Sequence, residues 1–163
     1  MAAPSFKLMT ADIVSAAHAL TLFGEALGCT ERYHHPESLG SDELQITAWV
    51  DNRTEAPELA DLLGVTDMLV VVFDPRRHLD ADRYASVISR VITVSAEFLE
   101  AHPGARAVLG EDTDFRLLMR RLEDDRIALD EYLRDPEGLN YSSAFDDLVA
   151  QYPVTDLGTL DLE

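Results

Sequence analysis

Met68-Leu69-Val70-Val71-Val72-Phe73 is the longest uninterrupted apolar run of the chain, and its reading decides the fold. It is far shorter than the about 20 apolar residues a membrane-crossing helix needs. It is β-branched in its centre and apolar at every position, not at alternate ones. That pattern predicts a strand covered on both faces. Asp74-Pro75 ends it. Upstream, Leu44, Ile46, Ala48 and Val50 alternate with Gln45, Thr47 and Trp49, which predicts a half-buried strand. Between the two, a short helix is expected over Pro57 to Leu63, with proline in the first turn and Gly64 at the stop. Downstream, Asp80 is placed to cap a long helix over Ala81 to Ala101. Tyr84, Val87, Ile88, Val91, Val94, Ser95 and Phe98 form its buried stripe. Val91-Ile92-Thr93-Val94 also suits a strand, but the length and steady helical period of the segment decide for helix.

His102-Pro103-Gly104 breaks that helix, and short strands with polar turns follow. Ala105 to Leu109 should pair with Phe115 to Leu122 across Gly110-Glu111-Asp112-Thr113, and Arg126 to Glu131 should follow the Glu123-Asp124-Asp125 turn. Phe115, Leu117 and Met119 are expected on one face, met by Ile127 and Leu129. At the other end, Phe6 to Met9 reads as an opening strand. Thr10 then caps a helix carrying Ile13, Ala16, Ala17, Leu20, Phe23 and Leu27, stopped by Gly28. The polar stretch Glu31 to Asp42 reads as a loop. Asp135-Pro136-Glu137-Gly138 is a turn, Ser143 caps a short helix through Val149, and the end from Pro153 is irregular or a short edge strand. The element order predicts an α+β fold in which a single, mainly antiparallel sheet has its two longer helices packed on one face. Residues 1–163 are read as a single domain, with 135–163 an acidic, partly irregular C-terminal segment.

Charge bounds the function. The chain carries 31 acidic and 13 basic residues, a formal net charge of −18. Such a surface repels nucleic acid and anionic membranes and attracts basic proteins over long range. Hydrophobic residues make up 47%, enough for a core, which argues against disorder. No lysine or arginine follows Arg134, so the acids of the tail, Asp135, Glu137, Asp146, Asp147, Asp156, Asp161 and Glu163, stand unbalanced. Cys29 is the only cysteine, which excludes an internal disulfide and reads as a small structural residue. No secretory signal opens the sequence, and a cytoplasmic location is expected.

Candidate chemistry is sparse. His34-His35 lacks a third ligand at a familiar spacing, and His18 lies in no His-x-x-x-His or His-Glu-x-x-His pattern, so no metal is expected. Gly110-Glu111-Asp112-Thr113-Asp114 gathers three carboxylates without the calcium-loop pattern. A solvated hairpin loop and a protein-binding loop both fit it. Glu123-Asp124-Asp125 has the same two readings, since aspartate is common in turns for local reasons. No nucleophile elbow, P-loop or dinucleotide fingerprint is present, and no cofactor is expected. Arg116, Arg120 and Arg121 form a basic cluster, expected to pair with neighbouring acids.

Leu63-Gly64-Val65-Thr66 leads into Val70-Val71-Val72-Phe73. The Asp82-Arg83-Tyr84 to Leu99 helix, the Pro103-Gly104 break and Ala107-Val108-Leu109-Gly110-Glu111 follow in turn. Leu117-Leu118-Met119-Arg120-Arg121 and Arg126-Ile127-Ala128-Leu129 complete the series. This succession, over Leu63 to Tyr132, resembles the small bacterial immunity proteins of Sit-type toxin systems. The chain departs from the family in its tail after Asp135 and in its longer early loop near His34. The resemblance implies a non-catalytic protein that binds and masks a cognate bacterial toxin, so no active site carries over. An anionic inhibitor associates quickly with a basic toxin cleft by electrostatic steering.

The expected partner is therefore a protein toxin with a basic surface, with no nucleic acid and no membrane involved. The expected contacts are Glu111, Asp112, Asp114, Glu123, Asp124, Asp125, Asp130 and Asp147, taken as exposed acids that pair with toxin lysine or arginine. Two other classes stay open. One is an adaptor or structural subunit. The other is a ligand-binding or enzymatic domain built on His18, Cys29, His34 and His35.

Overall fold

The computed structural model describes residues 5–11, 13–34, 37–52, 61, 63–64, 67–111, 116–122, 124–134 and 143–157. Its strands are β1 (Phe6–Ala11), β2 (Glu31–His34), β3 (Glu37–Gly40), β4 (Leu44–Asn52), β5 (Asp67–Pro75), β6 (Ala107–Glu111), β7 (Arg116–Arg121), β8 (Ile127–Asp130) and β9 (Val154–Thr155). Its helices are α1 (Ala16–Leu27), α2 (Ala81–Glu100) and α3 (Asp146–Gln151), with 3-10 turns at Glu131–Arg134 and Ser143–Phe145. The strands form one sheet in the order β2-β3-β4-β5-β1-β6-β7-β8-β9. Every pairing is antiparallel except β8 with β9. The fold is α+β, as the element order predicts. No helix among the described residues is long and apolar enough to cross a membrane.

β5 is buried at every position from Met68 to Phe73, because both its faces are covered. Leu69, Val71 and Phe73 join Phe6 and Leu8 of β1 under α1, α2 and Phe145 and Leu148 near the chain's end. Met68, Val70 and Val72 point the other way, into a smaller cluster with Met9, Leu63, Val108 and Leu117. Fully burying each of these side chains contributes roughly 1.5–3 kcal/mol, so the β5–β1 pair anchors both layers. Leu8 sits opposite Val71 on one side and Leu109 on the other. β1 thus joins the β2–β5 half of the sheet to the β6–β9 half.

Four local expectations change. Thr10 belongs to β1, and its hydroxyl donates to the Arg106 carbonyl at 3.0 Å. The cap of α1 is Ser15, which accepts from the His18 amide at 3.1 Å. Gly28 stops the helix in the left-handed region at φ 71°. Residues 31–34 and 37–40 form a hairpin, not a loop. β2 is an edge strand with little buried surface, so it carries no apolar alternation to betray it. Gly40 lies opposite Glu31 at the open end of that hairpin, where a Cβ would stand 2.9 Å from both Arg76 Nη2 and Tyr33 Cε2. Finally, a register shift between Leu109 and Gly110 separates Leu117 from Met119. Leu117 joins the smaller cluster and Met119 the larger one, because a bulge turns the strand about the extra residue.

The remaining elements follow the reading with two exceptions: Gly110 and Glu111 belong to β6 and not to the turn after it, and Ser143 opens a 3-10 turn and caps nothing, since α3 begins after Phe145 with no side-chain cap. Asp80 accepts from the Arg83 amide at 2.8 Å and caps α2. β9 is a short edge strand. The Pro57 to Leu63 helix lies mostly outside the described residues, and the Asp135 to Gly138 turn, Phe115 and His35 lie wholly outside them.

Candidate functional site

The helical layer presents carboxylates in an unusual position. Glu25 is exposed in the last turn of α1, and Glu97 and Glu100 are exposed in the last turn of α2. Neither last turn holds a basic residue. A helix C-terminus is the negative end of the macrodipole, so each such acid costs about 0.3–1 kcal/mol. The only arginines in these helices, Arg83 and Arg90, face Glu43 beside β4, at 3.7 Å and 3.1 Å. Glu100 accepts from the Tyr152 hydroxyl at 2.8 Å. Burial first, then this hydrogen bond and the charges of Glu100 and Glu97, push the Tyr152 phenol up to about 12.

Between α1 and α2 runs an apolar groove of about 320 Å³, lined by Leu22, Phe23, Ala26, Val94 and Phe98 with Glu97 among them. Leu22 is 36% exposed. Phe23 and Phe98 form the floor, with ring centroids 5.2 Å apart. The helical period explains the arrangement: α1 turns Leu20, Phe23 and Leu27 inward, which leaves Leu22 and Ala26 along the flank that α2 meets.

The acids expected from the sequence are placed differently from one another. Asp130 is 2% exposed and not a surface acid. Its two carboxylate oxygens accept from the Tyr132 and Leu157 amides, at 2.9 Å and 2.8 Å, and so tie the C-terminal segment to the end of β8. Asp125 is exposed but adopts a left-handed conformation at φ 73°, accepts from the Gly104 amide and lies 3.6 Å from Arg121. Asp124 pairs with Arg126, whose backbone and side-chain hydrogen bonds hold that carboxyl below the usual range. Glu111 is half-buried in β6 and has a partner of its own. Asp147 stands exposed in the first turn of α3. Asp112, Asp114 and Glu123 lie outside the described residues. Among the described residues, therefore, this set forms no single acidic patch. The sequence reading places its acids on loops and does not single out Glu25 and Glu97, whose position in the last turn of a long helix is visible only once the helix ends are known.

His18, Cys29 and His34 do not converge. His18 and His34 are exposed, on α1 and on edge strand β2. Cys29 is buried, and its sulfur meets the Leu27 and Leu44 carbonyls and Ser41 Oγ at 3.8–3.9 Å. Burial pushes its thiol up, which keeps it protonated and unreactive at neutral pH. Among the described residues no group of three or more His, Cys, Asp or Glu could hold a metal ion.

The basic cluster also divides. Arg116 stacks over the Tyr132 ring at 4.1 Å. Arg121 is buried beneath the end of α2, and Arg120 lines a cavity on the opposite face from the helices. Comparison with family models, with curated proteins and with solved structures finds no match to this chain.

Proposed function

We propose that the chain is a non-catalytic, cytoplasmic immunity-type protein that binds a basic bacterial toxin and masks its functional surface. The observation that carries this reading is the pair of uncompensated acids in the last turns of α1 and α2, one of which, Glu97, lines an apolar groove, in a chain of net charge −18. Acids placed against the helix macrodipole weaken the fold. A cationic partner gives them a use. Tight protein complexes rest on a few buried anchors ringed by polar contacts. Leu22 and the Phe23–Phe98 floor offer the apolar part, Glu97 offers a charge at its rim, and Glu25 adds a second acid in the last turn of α1. The net charge supplies long-range attraction, which raises association rate more than final affinity.

The test is protection. Tagged protein is used to retain partners from source-cell lysate at moderate salt, and each retained basic protein is expressed alone and then together with this chain. The reading requires one partner that is toxic alone and harmless in company. A Leu22→Asp, Glu97→Lys variant should lose protection while keeping its fold. Retention of only abundant basic proteins that wash off with salt would sink the reading, and full protection by the variant would move the interface elsewhere.

A further inference from the structure

The groove between α1 and α2 repeats one arrangement on both of its walls. On α1, Leu22 is followed three positions on by Glu25, and on α2, Val94 is followed three positions on by Glu97. Residues three apart are neighbours on one helix face, so each wall sets an exposed acid beside an apolar side chain. Phe23 and Phe98 lie between the walls as a shared apolar floor. No lysine or arginine is among the described residues that line the groove. His102, which does line it, is turned against the floor. Its ring centroid is 4.6 Å from that of Phe98, and its Nδ1 is 2.8 Å from the Phe98 carbonyl oxygen. An occupant that matches this surface is apolar along its middle and positively charged along both sides.

We propose, resting on the immunity reading for the partner's identity as a toxin, that the groove receives an amphipathic helix of that partner, docked through an apolar stripe with lysine or arginine on each border. A helix suits the groove because its walls are side chains of two helices and expose no strand edge. An extended segment would leave its N–H and C=O groups without partners there, whereas a helix bonds its own. The groove runs along α2 from Val94 to Ala101, about 10 Å at a rise of about 1.5 Å per residue. That length holds two anchors four residues apart, and the side-chain rows of a third helix nest between those of α1 and α2. The bordering cations reach Glu25 on one side and Glu97 on the other, while their apolar stems cover Leu22 and Val94. A second copy of this chain does not fit. Its α1, α2 and α3 carry only Arg83 and Arg90, both facing Glu43, and each copy brings the same charge of −18.

The experiment titrates the full chain with three blocked synthetic peptides of about 18 residues, long enough for an alanine-based sequence to be helical. The first carries a leucine stripe with lysine on both of its borders. The second has the same composition, with the lysines moved to the face opposite the leucines. The third has glutamate in place of lysine. Amide NMR shifts are followed at matched ionic strength, because charge alone draws any cationic peptide to so acidic a chain. The expected result is a saturable shift at Leu22, Ala26, Val94 and Glu97. The first peptide should bind at least about threefold more tightly than the second, as two exposed ion pairs allow, and the third should not bind. Glu97→Gln should weaken the first peptide about twofold, and Glu97→Gln with Leu22→Ala about tenfold. Both positions are exposed, so these variants keep their fold. Equal binding of the first two peptides, saturation away from the groove, or an affinity unmoved by the double variant overturns the proposal. Its failure is distinct from that of the immunity reading. A toxin neutralised by the chain, with no groove binding by the first peptide, overturns the docked helix and leaves the immunity reading standing. Groove binding by that peptide, with no toxin neutralised, supports the helix and sinks the immunity reading.

Discussion

Arg121 shows how a charge becomes structural. It is 6% exposed, and its guanidinium donates to the carbonyls of Leu99 at 2.6 Å, His102 at 2.9 Å and Ala105 at 3.0 Å. Those carbonyls belong to the end of α2 and the turn after it, where a helix leaves acceptors unsatisfied and carries partial negative charge. Nε has no hydrogen bond, but Asp125 Oδ1 lies 3.6 Å away. That distance is too long for a hydrogen bond and short enough for Coulombic attraction. Arg121→Met keeps most of the volume and removes the donors. The Leu99 and His102 carbonyls still receive the His102 and Ala105 amides, at 3.0 Å and 3.4 Å, so they are not orphaned. The expected loss is therefore about 2–3 kcal/mol, below the sum of three orphaned acceptors. Arg121→Lys should recover less than half, because one ammonium cannot span three carbonyls. Urea unfolding measures both, and a loss under about 0.5 kcal/mol would deny the cap any stabilising role.

At the scale of elements, what could be read in the sequence follows burial. β5 and α2 announced themselves because one is covered on both faces and the other along a continuous stripe. β2 was illegible because an edge strand exposed to water needs no apolar pattern. The β7 bulge was illegible because nothing in Leu117-Leu118-Met119 says which leucine is the extra one. Thr10 and Ser15 are both good caps, and only the length of β1 decides between them. For the candidate site, the charge was legible and its placement was not, since an acid at a helix end has meaning only once the end is known. Tyr152 is such a placement: it fastens the segment after α3 to Glu100 of α2. Its folded phenol titrates near 12, above its ordinary value of about 10. The neutral form is the one the fold favours, so this stabilisation is complete below pH 10 and is lost as pH rises to about 12. Urea midpoints should fall across that window, and Tyr152→Phe should flatten the fall. Equal slopes in both proteins would show that the Glu100 contact adds nothing. Tyr84, whose phenol is also raised by burial, is present in both and cancels.

For the whole molecule, the net charge of −18 sets stability against association. Like charges oppose the compact state, and the opposition reaches farther when salt is low, with a Debye length of about 30 Å at 0.01 M and about 8 Å at 0.15 M. Glu25 and Glu97 add to this repulsion and also oppose the macrodipoles of α1 and α2. A Glu25→Lys, Glu97→Lys double variant therefore should be more stable than the parent, by about 1–2 kcal/mol at low salt. For a chain of this length that is roughly 2–8 °C in Tm, shrinking as salt is raised. If the same acids steer a basic partner, the variant should also associate about tenfold more slowly, with a weaker dependence on salt. Each half of this outcome has its own meaning. A rise in Tm with unchanged association would leave the acids as surface charge and place the partner elsewhere. A fall in Tm would mean that the two carboxylates support the fold. A gain in stability matched by a loss in association is the signature expected of residues retained for binding at the expense of the helices that carry them.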